Sequence, residues 1–124
     1  MRVLLVDVSR TIRRIQKNAV ESMGDTEVAE AADGREALEK CAEFKPDLIL
    51  LDWNLPNMDG LTFVKTYRGA GNKTPIIMCT TEAEKGRVME AIKQGVNNYV
   101  VKPFTIDSLC DKIRQTLAAV AVQA

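Results

Sequence analysis

The chain has 124 residues, 46% hydrophobic and 27% charged. Against roughly 100–200 residues per domain, that reads as one compact domain spanning 1–124, which excludes a disordered chain and an attached DNA-binding or catalytic module. Lys+Arg 17 balances Asp+Glu 17, so no net positive field holds nucleic acid or an acidic membrane. Histidine is absent, which removes Ser-His and Cys-His nucleophile pairs and the usual imidazole ligands of zinc.

The three cysteines, Cys41, Cys79 and Cys110, lie far apart within apolar patterns and read as reduced core thiols. No window approaches the ~18 apolar residues of a membrane span, and Met1-Arg2 leads straight into a short apolar run without signal-peptide features. The expectation is a cytosolic protein without a membrane partner.

Strand one is predicted at Val3 to Val6. Ile12, Ile15, Ala19, Val20 and Met23 then recur at helix spacing, with Ser9 as cap and Gly24 as stop. Glu27 to Ala32 is a weaker strand. The second helix starts at Asp33, with Glu36 completing a capping box, and ends before Pro46. Leu48 to Leu51 is the third strand, and a short helix runs from Gly60 to Arg68. After the fourth strand, Ile76 to Cys79, a Thr81–Glu84 capping box opens a helix that buries Val88, Ala91 and Ile92 and stops at Gly95. Tyr99 to Val101 is the fifth strand. The last helix, capped by Thr105, carries an apolar stripe of Ile106, Leu109, Cys110, Ile113, Leu117 and Val120, and the tail to Ala124 extends or frays it.

Strands that are apolar throughout, each followed by a helix, predict an α/β fold: a five-stranded parallel sheet, doubly wound, with right-handed crossovers. In such a sheet the strand C-termini share one edge, where ligands bind. Asp7, Asp52, Thr80 and Lys102 stand at those ends. Any one of them alone fits a loop cap or a surface charge, but four together form a site. Two carboxylates drawn together call for a cation, and an all-oxygen site with room for water suits Mg²⁺. An ammonium beside them points to a transferable anion, as in phosphoryl transfer to a carboxylate.

The run Asp47 to Asp52 (DLILLD), the segment Trp53 to Gly60 (WNLPNMDG), Thr80, and Lys102-Pro103-Phe104 resemble the receiver domain of two-component response regulators. The likeness is strongest to single-domain chemotaxis regulators of the CheY type and covers essentially the whole chain. It implies a flavodoxin-like (βα)5 fold with strand order 2-1-3-4-5. It further implies that Asp52 accepts a phosphoryl group from a phosphohistidine on a partner sensor histidine kinase. Thr80 then hydrogen-bonds a phosphoryl oxygen and Lys102 pairs with the phosphate. Mg²⁺ is held by Asp52, the Asn54 carbonyl and, through water, Asp7. The Lys102–Pro103 peptide is cis, and Pro56 and Gly60 shape the loop after the acceptor.

One position departs from the pattern. The family usually carries two adjacent acids after the first strand, the second contacting the metal directly, and here the pair is Asp7-Val8. Val8 offers no oxygen, so Mg²⁺ binding and phosphoryl transfer are expected to be weakened.

By the same resemblance the protein is a monomeric switch and no enzyme on outside substrates, though it assists its own phosphorylation and dephosphorylation. Phosphate at Asp52 draws Thr80 inward and lets Tyr99 turn toward the interior, remodelling a surface that includes Val88, Ile92, Tyr99 and Lys112. A flagellar motor switch protein is the expected target. Arg13 and Arg14, on the first helix, read as solvated charge ahead of a contact for the kinase. A pseudo-receiver that binds partners without phosphate is the competing reading, and Val8 supports it. A flavodoxin is disfavoured because Val8-Ser9-Arg10-Thr11 lacks the glycine of a phosphate loop. An aspartyl-phosphate phosphatase is disfavoured because Asn54 stands where its second carboxylate belongs.

Overall fold

A computed structural model describes residues 1–123. Its elements are β1 (Arg2–Val6), α1 (Arg10–Glu21), β2 (Glu27–Ala31), α2 (Gly34–Phe44), β3 (Leu48–Asp52), α3 (Gly60–Gly69), β4 (Ile76–Thr81), a 3-10 helix (Glu82–Arg87), α4 (Val88–Lys93), β5 (Asn98–Lys102) and α5 (Ile106–Gln123). All strands pair in parallel in the order β2-β1-β3-β4-β5, as expected.

Side-chain alternation along these strands builds two cores. Leu4, Val6, Ile49, Leu51, Ile76 and Met78 face α2, α3 and α4, where they meet Ala37, Phe63, Val64 and Ala91. Val3, Leu5, Leu48, Leu50, Ile77 and Cys79 face α1 and α5, meeting Ala19, Val20, Leu109 and Ile113. Burial on both faces explains why the central strands read as unbroken apolar runs. Cys41, Cys79 and Cys110 are buried and free, as the sequence suggested. No helix among the described residues is long and apolar enough to cross a membrane.

The expected caps form. Ser9 Oγ accepts from the Ile12 N–H at 3.2 Å, an Asp33 oxygen from the Glu36 N–H at 2.7 Å, and Thr105 Oγ1 from the Ser108 N–H at 3.0 Å. Asp59, unremarked in the sequence, caps α3 through the Thr62 N–H at 2.8 Å.

Four expectations need correction. The segment after β4 does not enter one long helix. Glu84 caps Thr81 as foreseen, taking its hydroxyl at 2.9 Å, but Glu82–Arg87 winds as a 3-10 helix before a six-residue α4. Gly86, a poor helix former, lies within the tighter stretch. That short α4 turns Val88 and Ala91 inward and leaves Met89 and Ile92 outward, so Val88 belongs to the interior and the expected burial of Ile92 fails at 41% exposure. Ile106 likewise sits outside its stripe, at 41% exposure in the first turn of α5. Finally, α1 buries Gln16 fully alongside Ala19 and Val20, with Ile12 and Ile15 only partly covered. Gln16 Nε2 donates to Cys79 Sγ at 3.4 Å while its Oε1 finds no partner, a penalty on the order of 1–3 kcal/mol for a buried amide.

Candidate functional site

Parallel pairing brings the ends of β1, β3, β4 and β5 to one rim, and the same alternation decides which way each end residue points. Asp7, Asp52 and Lys102 continue the α1/α5 face, whereas Thr80 continues the face of α2, α3 and α4. The first three meet. Lys102 Nζ lies 2.7 Å from Asp7 Oδ2 and 3.4 Å from Asp52 Oδ1. Asp7 is 1% exposed and Asp52 7%, so the ammonium is shared between two almost dry carboxylates. Asp7 Oδ1 accepts from the Ser9 N–H at 2.9 Å, which ties the carboxylate to the start of α1.

Burial raises the pKa of Asp52 above the ordinary carboxylate value, and the charge of Asp7 adds to the effect against the pull of Lys102. For Lys102, burial pulls the pKa down but is outweighed by the hydrogen bond to Asp7 and the charge of Asp52, so the net shift is upward. An acid whose folded pKa is raised binds its proton more tightly folded than unfolded. Its contribution to stability is therefore greatest below its unfolded pKa, 3.8, and is lost as pH rises through the folded value. Asp52→Asn is thus expected to raise the Tm by a few degrees at pH 7 in chelator, with the gain shrinking below about pH 4. Calorimetry across that range checks it, and an equal gain at both ends contradicts the burial argument.

Thr80 is fully buried, but its hydroxyl is engaged away from the carboxylates. Trp53 Nε1 donates to Thr80 Oγ1 at 3.1 Å, and the hydroxyl donates to the Thr81 carbonyl at 3.3 Å. The amine and the acceptor are therefore together, while the alcohol waits on the other side of the rim. Trp53 is 2% exposed beneath the Arg87 guanidinium, which stands 4.4 Å from the ring centroid. No sequence period announces this stack.

The oxygen donors on offer are the carboxylates of Asp7 and Asp52, which Lys102 bridges, and the carbonyl of Asn54, which follows Trp53 in the chain. They are of the kind Mg²⁺ accepts, and waters can complete its shell. Among the described residues no three His, Cys, Asp or Glu gather as a metal cluster. Val8, half exposed at 52%, follows Asp7 directly and brings no side-chain oxygen. The residues fit Mg²⁺ in kind, one acid short. The Asn54 side-chain amide donates to Glu84, on the 3-10 helix.

The loop between β3 and α3 is held by the start of α2. The Asn57 amide donates to Asp33 at 2.8 Å, and a Cβ on Gly34 would lie 2.1 Å from the Met58 carbonyl oxygen. Arg13 is not a solvated charge: its Nε pairs with Glu30 at 2.8 Å and its guanidinium donates to the Asp7 carbonyl. Arg14 is exposed and lines, with Arg10 and Lys17, a groove of about 600 Å³ that contains none of the rim residues. At the far end of β5, Tyr99 is half-buried against the α2–α4 core, with Lys112 Nζ 5.1 Å from its ring centroid. The Lys102–Pro103 peptide is cis.

Comparison with known proteins agrees with this geometry. Residues 3–114 match the model of the response regulator receiver domain. The chain is 46% identical over 120 residues to chemotaxis protein CheY1 of Helicobacter pylori, covering 94% of this chain and 97% of that protein. It is 40% identical over 117 residues to chemotaxis protein CheY of Pseudomonas aeruginosa, covering 93% and 94%. The solved structure of chemotaxis response regulator CheY4 of Vibrio cholerae superposes with a TM-score of 0.84 at 38% identity, covering 93% of this chain and 97% of that one. With the family match, the relatives and the strand order in agreement, the chain belongs to the response regulator receiver domain family.

Proposed function

We propose that this chain is a chemotaxis switch that takes a phosphoryl group onto Asp52. The observation that carries the reading is one lysine bridging two nearly dry carboxylates at the strand ends, Lys102 to Asp7 at 2.7 Å and to Asp52 at 3.4 Å. The donor is a phosphohistidine on a sensor histidine kinase. An Asp52 oxygen attacks phosphorus, the P–N bond breaks, and the leaving imidazole takes up a proton, leaving an aspartyl phosphate. Lys102 holds the charge that builds on the phosphoryl oxygens, and Asp7 fixes that ammonium in place beforehand. Mg²⁺, when held by Asp7, Asp52 and the Asn54 carbonyl, supplies further charge neutralisation, and Val8 makes its binding weak. Thr80 leaves Trp53 to donate to a phosphoryl oxygen. Its movement is read out at Tyr99, Ile92 and Lys112, the face offered to a flagellar motor switch protein by a cytoplasmic monomer.

A second reading, a pseudo-receiver that works without phosphate, is favoured by Val8 alone. Incubation with acetyl phosphate and excess Mg²⁺, followed by intact-mass measurement, separates the two. A gain of one phosphoryl group that Asp52→Asn abolishes is expected, and unchanged mass at saturating Mg²⁺ favours the pseudo-receiver.

A further inference from the structure

We infer that Trp53 is a positioning residue for Thr80: its indole N–H latches the Thr80 hydroxyl on the face opposite Asp52 and so sets how readily the phosphorylated arrangement forms. The inference deepens the phosphoacceptor reading and rests on it. Indole nitrogen is a donor only, so its one buried hydrogen-bonding group needs an acceptor, and Thr80 Oγ1 at 3.1 Å fills that need. If Thr80 turns toward a phosphoryl group, the buried N–H loses its partner, and a buried donor left unmade is costly.

The ring cannot follow the hydroxyl. The Trp53 carbonyl accepts the Gly60 N–H at 2.9 Å, and α3 lies so close that a Cβ on Gly60 would sit 3.0 Å from Trp53 Cα. Above, Arg87 covers the ring at 4.4 Å. Alongside, the Asn54–Glu84 hydrogen bond ties the 3-10 helix to the same loop, and Glu84 also takes the Thr81 hydroxyl next to Thr80. The alcohol therefore leaves a fixed partner whenever it engages phosphate, and the latch favours the unphosphorylated conformation.

The chain has a single tryptophan, so one indole N–H resonance reports the latch directly. In the free protein it is expected downfield and slow to exchange, moving upfield in Thr80→Val. Beryllofluoride with saturating Mg²⁺ should move it upfield in the unmutated protein as well. Trp53→Phe keeps a ring and removes the donor, and should tighten beryllofluoride, followed by fluorine NMR, by about fivefold, the worth of one ordinary hydrogen bond. In a Thr80→Val background the same change should have no effect. Arg87→Ala should tighten it about twofold through the loosened cation–π contact, and Arg87→Lys should not.

Unchanged or weaker affinity in Trp53→Phe, with normal phosphoryl uptake, overturns this inference alone. If Trp53→Phe does not fold, an indole resonance in the unmutated protein that ignores beryllofluoride does the same. Failure of Asp52 to gain mass from acetyl phosphate overturns the functional reading and the latch together.

Discussion

Val8→Asp is expected to tighten Mg²⁺ binding by about tenfold, because hard divalent cations gain affinity chiefly from the number of charged oxygens around them. The rim now sets two carboxylates against the Lys102 ammonium. A third acid directly after Asp7 changes that balance at little structural cost, since Val8 is 52% exposed and packs no core. Without metal the added charge repels Asp7 and Asp52, so the variant should be slightly less stable in chelator. With metal it should gain more in Tm than the parent, because a ligand that binds only the folded state stabilises it in proportion to its affinity. Trp53, adjacent to Asp52 and almost fully buried, serves as the fluorescent reporter of a Mg²⁺ titration. Coincident midpoints for parent and variant contradict the assignment of the metal to this rim.

Gly60→Ala should cost about 3 kcal/mol, at the upper end of overpacking penalties, and should abolish phosphoryl uptake. A Cβ there would stand 2.3 Å from the Asp52 carbonyl oxygen and 3.1 Å from its carbonyl carbon. Both are backbone atoms of the candidate acceptor, so the clash is relieved only by shifting the end of β3 or the start of α3. Gly69, at the other end of the same helix, has nothing within 4 Å of its missing Cβ. Gly69→Ala should be neutral or stabilising by up to about 1 kcal/mol, since alanine is the better helix former. Urea unfolding of the pair separates close approach from helix propensity, and equal midpoints would refute the packing argument.

The fold was legible in the sequence because burial on two faces leaves unbroken runs such as Leu48 to Leu51, and caps such as Ser9 and Asp33 act over three residues. The rim was legible for a similar reason: a parallel sheet sends every strand end to one edge, whatever the spacing along the chain. What escaped depends on contacts that no local period encodes. Asp33 reads as a cap, but that it also holds Asn57 follows from how α2 docks on the loop after β3. Gln16 interrupts the apolar stripe of α1, and the pitch of the helix turns it onto Cys79. Thr80 was placed with the carboxylates by its position at a strand end. Strand alternation puts its hydroxyl on the opposite face, and only the packed indole makes that choice visible.

The Lys102 bridge has a mechanical corollary. In the sheet order, β5 and β1 are separated by β4 and β3, yet the Lys102 ammonium on β5 reaches the carboxylate that follows β1. The side chain works as a tie-rod thrown across the rim, gripped at 2.7 Å by Asp7 and at 3.4 Å by Asp52. On the proposed phosphorylation of Asp52, drawing the rod off Asp7 is expected to slacken the span between β1 and β5 and to give the edge that carries Tyr99 more play.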